Sequence, residues 1–141
     1  MAAPQEEPTW QPISMLAMLT AHVEDGVTMV REQRATLEEG RSKPYVLDDA
    51  TVARVKKVFT QTAADNEQLF AEQGRRWAAL DLSAEQRRGV ERYVALVEQM
   101  QAETTAILAL ADELAKGTIE TVLAKSDLEL GIEALLRGGR L

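Results

Sequence analysis

No proline occurs after Pro44, and this absence constrains the fold more than any other feature of the sequence. A proline inside a helix removes a hydrogen bond and clashes with the preceding turn. From there onward no such residue interrupts a helix. The dominant residues are Ala, Leu, Val, Glu, Gln and Arg, which are mostly good helix formers. Aromatic residues make up only 4% of the chain. The sequence therefore predicts an all-α fold.

Three long segments carry apolar residues at three- and four-residue steps, which is the spacing of an amphipathic helix. Asp48 is placed to cap the start of the second segment, and Ser83 and Gln86 have capping-box spacing at the start of the third. The predicted helices run from about Trp10 to Arg41, from Asp48 to about Leu80, and from Ser83 to about Lys116.

Two short segments follow Gly117, which is a favourable residue for ending a helix. Ser126 and Glu129 form a second capping box, in front of a short segment that stops at Gly138. We therefore predict an antiparallel bundle of three long helices plus one or two short C-terminal helices. Residues 1–9, with two prolines, predict a disordered N-terminal tail, and residues 10–141 predict a single helical-bundle domain.

The net charge of −7 and the absence of cysteine narrow the classes of function. A negative protein is a poor general binder of nucleic acid or of anionic lipid. Without cysteine there is no disulfide framework and no cysteine zinc site. The acidic N-terminus does not resemble a signal peptide, and no long apolar run is present. We expect a cytoplasmic protein that binds neither nucleic acid nor membrane.

His22 is the only histidine of the chain, and it shares a helix face with Asp25. Metal sites in helical bundles need a Glu-x-x-His pair on each of two helices, and position 19 is a leucine. No nucleophile elbow, phosphate loop or dinucleotide fingerprint occurs either. We therefore interpret His22 as an edge residue and predict no catalytic, cofactor-binding or metal-binding residue.

Four polar residues interrupt the apolar faces of the second and third helices. Folding the hairpin about residue 82 brings them to similar heights, so they form a candidate polar layer: Thr62, Asn66, Gln101 and Thr104. Such a layer has two interpretations. A buried amide pair fixes the register of two helices at some cost in stability, which is the better-attested use. Alternatively, the layer lines a small polar ligand pocket between helices.

A cluster of arginines flanks the turn between the second and third helices. It is a candidate anion-binding patch, and its members are Arg75, Arg76, Arg87, Arg88 and Arg92. Guanidinium groups bind phosphate or carboxylate in a bidentate manner. Acidic residues such as Glu72 and Glu91 interleave with the arginines, so a solvated face of salt bridges is the simpler interpretation.

Methionines widen the apolar surface of the first helix, and the C-terminal segment is amphipathic. The candidate interface residues are Met15, Met18, Met29, Leu128, Ile132, Leu135 and Leu136. A core within one chain explains them, and a subunit interface does so as well. We expect a homo-oligomer, with a dimer favoured.

These observations favour a non-enzymatic cytoplasmic protein that acts through self-association and through contact with a protein partner. The alternative is a regulatory bundle that binds a small ligand in the polar layer. A third and weaker interpretation is a hydrolase or an enzyme with a carboxylate-bound metal near His22. No cofactor is predicted.

Overall fold

The computed structural model describes residues 9–43, 47–118 and 123–124. Within these residues every regular element is helical, and none is a strand. The main elements are α1 (Leu16–Ser42), α2 (Asp49–Asp65), a π-helical turn (Asn66–Ala71), α3 (Glu72–Ala78) and α4 (Ala84–Leu114). Short 3-10 turns precede α1 and follow α4.

The second predicted helix comprises α2, the π-helical turn and α3 in unbroken succession. The prediction of an all-α bundle of three long helices is therefore confirmed, with ends within a few residues of those expected. The predicted short C-terminal helices fall outside the described residues, apart from Leu123 and Ala124. The predicted tail also falls outside them, apart from Thr9, which is exposed.

The predicted caps are present at the starts of α2 and α4. Asp48 accepts a hydrogen bond from the backbone N–H of Thr51 at 2.7 Å. Hydrogen bonds from Thr51 hold the pKa of the Asp48 carboxyl below its ordinary value. Ser83 and Gln86 each donate a backbone N–H to the other's side chain, at 2.9 and 3.1 Å, which is the reciprocal pattern of a capping box.

The chain divides into two compact units, Met1–Glu32 with Gln61–Thr105 and Gln33–Thr60 with Ala106–Leu141. In the first unit α1 and α4 run parallel, because Glu24 contacts Arg92 and Arg31 contacts Gln99. The helical stretch between them is antiparallel to α4, because Tyr93 contacts Phe70 whereas Gln101 contacts Glu67. Its apolar core comprises Val23, Val27, Val30, Trp77, Val90, Tyr93, Val97 and Met100. That a single domain spans residues 10–141 stays a prediction.

The second unit has its own core. Its buried apolar residues are Leu37, Val52, Ile107, Leu110, Ala111 and Leu114. The buried Thr118 hydroxyl donates a hydrogen bond to the Asp49 carboxylate at the start of α2. On α4, Leu108 is half-buried, and Ile107 beside it is fully buried.

The helices of the described residues include none that is both long enough and apolar enough to cross a membrane.

Candidate functional site

The π-helical turn begins at Asn66, a buried polar residue of the first unit. Its side chain is 2% exposed. Within the described part of the chain its amide nitrogen Nδ2 has no hydrogen-bond partner. Buried polar groups in folded proteins are almost always paired, so an unpaired one calls for an explanation.

Tyr93 of α4 supports the π-helical turn from the opposite side. Its hydroxyl donates a 2.8 Å hydrogen bond to the backbone carbonyl of Phe70, within the turn. A π-helical turn inserts an extra residue and disturbs the normal pattern of helical hydrogen bonds, so an added donor compensates for it. Burial raises the pKa of Tyr93 to about 12, because the ionised form loses its contact with water.

A cavity of about 290 Å³ lies beside Asn66, and we call it the Asn66 cavity. Its polar lining comprises His22 and Asp25 of α1 together with Thr62, Asp65 and Asn66 of the second helical stretch. His22 and Asp25 are exposed, whereas Asn66 is buried. The lining therefore combines exposed polar side chains with one buried amide.

Apolar side chains complete the walls of the Asn66 cavity, namely Met29, Val30, Phe70 and Met100. The Phe70 ring lies 5.6 Å from the His22 ring, centroid to centroid. A Cβ at Gly26 of α1 would lie 2.8 Å from the Met100 sulfur of α4. The absence of a side chain at Gly26 therefore leaves room for the Met100 side chain.

The charge of the Asn66 cavity is negative. Its lining contains two carboxylates, Asp25 and Asp65, and no lysine or arginine among the described residues. Asp65 accepts a 2.9 Å hydrogen bond from the Gln61 side chain. Asp25 has neither a hydrogen bond nor an ion pair with any residue that the structure describes. One carboxylate at the rim is thus available to a ligand.

The described residues contain no group of three or more histidine, cysteine, aspartate or glutamate side chains arranged to hold a metal ion. His22 and the two aspartates of the cavity are included in that statement. The predicted absence of a metal-binding residue stays a prediction for the chain as a whole.

The structure brings together only part of the predicted polar layer. Thr62 and Asn66 line the same cavity. The buried Thr104 hydroxyl instead donates to the carbonyl of Met100 in its own helix, at 2.7 Å. Gln101 donates to the Glu67 carboxylate at 3.0 Å and lines a separate cavity with Tyr93. Asn66 and Gln101 therefore do not form an amide pair.

Three of the five clustered arginines have acidic partners. Arg75 contacts Glu67 at 3.1 Å and Glu72 at 2.7 Å, and it lowers the pKa of Glu72. Arg92 contacts Glu24 of α1 at 2.9 Å. Arg76 also contacts Glu72, and its guanidinium lies 4.3 Å from the centroid of the Trp10 ring. Arg87 and Arg88 form no ion pair within the described part of the chain.

The methionines of α1 differ in exposure. Met18 and Met29 are 58% and 61% exposed, whereas Met15 is half-buried. Met29 also lines the Asn66 cavity. The other predicted interface residues, Leu128, Ile132, Leu135 and Leu136, lie outside the described residues.

A second buried amide, Gln73, was not singled out as a site by the sequence. It is 4% exposed, and it forms two hydrogen bonds with the backbone of Gln11 in the segment before α1. The Gln11 N–H donates to Gln73 Oε1 at 2.7 Å, and Gln73 Nε2 donates to the Gln11 carbonyl at 3.3 Å. The Trp77 indole N–H donates to the same carbonyl at 2.9 Å.

Sequence reasoning also missed most of the Asn66 cavity: Asp25, Gly26, Asp65, Phe70 and Met100. The only available signals were the shared face of His22 and Asp25 and the polar interruption at Asn66. Neither reveals the π-helical turn, which changes the register of every residue after Asn66.

These features define an all-α helical bundle with a small interhelical cavity in one of its units. No protein-family model, curated protein or solved structure matches the chain.

Proposed function

We propose that this chain binds a small organic molecule in the Asn66 cavity and does not transform it chemically. The observation that carries the proposal is the buried Nδ2 of Asn66, which has no partner among the described residues. Leaving a buried donor unpaired costs about 1 to 3 kcal/mol. Nδ2 has almost no accessible surface in the structure, so a ligand's acceptor reaches it only when the side chains around the cavity shift, and a bond formed in this way removes that cost.

The alternative role, fixing helix register, fits Asn66 less well. A buried amide fixes register through a hydrogen bond that forms in one alignment of the helices and is lost in the others. Nδ2 makes no such bond, and the nearest candidate partner by sequence, Gln101, is engaged by Glu67.

Two further features support a binding role. π-helical turns inside α-helices occur frequently at functional sites. Spaces between the helices of a bundle are also common ligand sites, with volumes of roughly 300 to 1,000 Å³. The volume of about 290 Å³ is near the lower end of that range, so the ligand is small.

A ligand-observed NMR screen with a library of small neutral, cationic and anionic compounds tests the proposal. The screen compares the wild-type chain with Asn66→Leu, which keeps a side chain of similar size and removes the donor. Gln68→Leu is the matched control, because Gln68 is exposed in the same π-helical turn. We expect compounds that bind the wild type and the control and bind Asn66→Leu at least about tenfold more weakly.

A screen that finds no compound sensitive to Asn66→Leu overturns the proposal. Circular dichroism and a urea titration of each variant establish that the compared chains are equally folded.

Self-association through α1 is the second candidate function, and the exposure of Met18 and Met29 favours it. These residues are eleven positions apart, which places them on nearly the same face of a helix. Because Met29 also lines the Asn66 cavity, Met18→Lys is the cleaner test. We expect sedimentation at high micromolar concentration to show a dimer for the wild type and a monomer for Met18→Lys. A monomeric wild type removes this candidate.

Contact with a protein partner, a cytoplasmic location and the lack of nucleic-acid binding remain proposals that rest on the sequence.

A further inference from the structure

We propose that the molecule bound in the Asn66 cavity is a small organic cation that carries an oxygen acceptor. This inference rests on the proposed function, and it adds the chemical class of the ligand. It follows from the charge of the rim, the chemistry of the inner end and the nature of the walls.

The charge of the rim selects a cation. Asp25 and Asp65 contribute two negative charges, and the described residues of the lining contribute no lysine or arginine to offset them. Asp25 is exposed and has no ion pair or hydrogen bond within the described part of the chain. An anion placed here meets two like charges, whereas a cation gains attraction to both.

The inner end selects an oxygen acceptor. Asn66 lines the cavity and its unpaired Nδ2 is a donor, so the group that complements it is a hydroxyl, carbonyl or ether oxygen. Nδ2 has almost no accessible surface in the structure, so this oxygen reaches it as the side chains around the cavity adjust to the ligand. Thr62 lines the same cavity. A ligand that spans the cavity therefore carries its charge toward Asp25 and its oxygen toward Asn66.

The walls select an organic cation over a metal ion. Phe70 lines the cavity and presents an aromatic ring, which attracts organic ammonium groups. Val30, Met29 and Met100 add apolar surface, which gains nothing from a hydrated metal ion. The carboxylates and His22 do not form a metal-holding group among the described residues.

Calorimetric titration of the full chain with a matched series of probes tests the charge. The series shares one shape and comprises choline, its neutral isostere with carbon in place of nitrogen, and the anion tert-butylacetate. Ethanolamine is added as a smaller primary ammonium. We expect at least one of the two cations to bind, with an affinity about tenfold or more above that of the neutral isostere.

Two variants with the same change in net charge locate the effect. Asp25→Asn removes the carboxylate at the rim and should weaken binding of the cation about tenfold, which reduces the preference over the neutral isostere. Asp81→Asn is the control, because Asp81 is exposed in the turn between α3 and α4 and does not line the cavity. Binding by this control should equal that of the wild type.

The outcomes separate this inference from the proposed function. Compounds that bind in an Asn66-dependent manner without preference for cations overturn the inference and leave the proposed function standing. Failure of both choline and ethanolamine to bind at millimolar concentration overturns the inference as well. Cation binding that is equally weakened by Asp25→Asn and Asp81→Asn does so too, because it then reflects net charge alone. Absence of any Asn66-dependent binder overturns both.

Discussion

Two buried amides, Asn66 and Gln73, lie seven residues apart in the same helical stretch and have opposite surroundings. Gln73 uses both its oxygen and its nitrogen on the backbone of Gln11. Asn66 is buried to the same degree, yet its nitrogen has no partner in the described part of the chain. The Gln73 amide therefore stabilises the fold through hydrogen bonds, whereas the donor of the Asn66 amide is unused within the described residues.

Burial of a polar side chain therefore does not by itself reveal its role. A partnered amide stabilises the fold, because removing it orphans the groups that it served. An unpartnered amide costs stability, and a protein keeps it where something outside the chain completes it. The same substitution to leucine should therefore have opposite effects at the two positions.

The largest expected effect is that of Gln73→Leu. The substitution leaves the Gln11 N–H without its acceptor and removes one of the two donors to the Gln11 carbonyl. We expect the free energy of unfolding to fall by about 3 kcal/mol, measured by urea denaturation. Amide hydrogen exchange should become faster around Gln11.

Gln68→Leu is the control for this substitution, because it makes the same chemical change at an exposed position. Its unfolding free energy should stay within about 0.5 kcal/mol of wild type. Equal stabilities for the two variants would show that the hydrogen bonds between Gln73 and Gln11 contribute nothing to the free energy of unfolding.

The π-helical turn lies between the two amides, and the Tyr93 hydroxyl donates a hydrogen bond to the Phe70 carbonyl within that turn. Burial raises the pKa of Tyr93 from 10.0 to about 12, so the folded state favours the protonated phenol. This contribution is fully present below pH 10 and is lost as the pH rises from 10 to 12, because the unfolded chain ionises first. The loss is roughly 2 to 3 kcal/mol.

Alkaline unfolding of Tyr93→Phe should lack that component, although the variant starts about 1 kcal/mol less stable because the Phe70 carbonyl loses a donor. Absorbance titration of the phenolate in the wild type should show one tyrosine ionising near pH 12. An identical pH dependence of stability in the two chains would contradict this role of Tyr93.

Much of the fold was predictable from the sequence, because its signals are local. The absence of proline after Pro44, the apolar periodicity and the caps at Asp48 and Ser83 are each read within a few residues. The structure has all three long helices and both caps.

The Asn66 cavity was less predictable, because it depends on an insertion that leaves no mark in the residue pattern. The π-helical turn at Asn66–Ala71 contains Phe70, whose carbonyl accepts a hydrogen bond from the hydroxyl of Tyr93, 23 residues away along the chain. The sequence predicted that Asn66 and Thr62 lie together, but it paired them with Gln101, which faces a different cavity.

Asn66→Leu is the counterpart of Gln73→Leu and should have the opposite sign. Replacing an unpaired buried amide with an apolar side chain of similar size removes a desolvation cost and leaves no described partner orphaned. We expect the free energy of unfolding without ligand to rise by about 1 kcal/mol, seen as a higher urea midpoint. A loss of stability comparable to that of Gln73→Leu would mean that Asn66 is partnered in solution and would erase the contrast between the two amides.

The smallest expected effect is that of Thr104→Val, which adds a third kind of buried polar side chain to the comparison. Thr104 is fully buried, and its hydroxyl donates to the Met100 carbonyl within the same helix. That carbonyl already accepts a backbone N–H in the helical pattern, so losing the hydroxyl orphans no group. Valine has nearly the same shape, and stability should stay within about 0.5 kcal/mol of wild type.

Thr20→Val is the control, because Thr20 makes the same bond to the Leu16 carbonyl at a half-buried position. A loss above about 1.5 kcal/mol for Thr104→Val alone would mean that its hydroxyl also serves a group on another helix, as the polar-layer prediction requires.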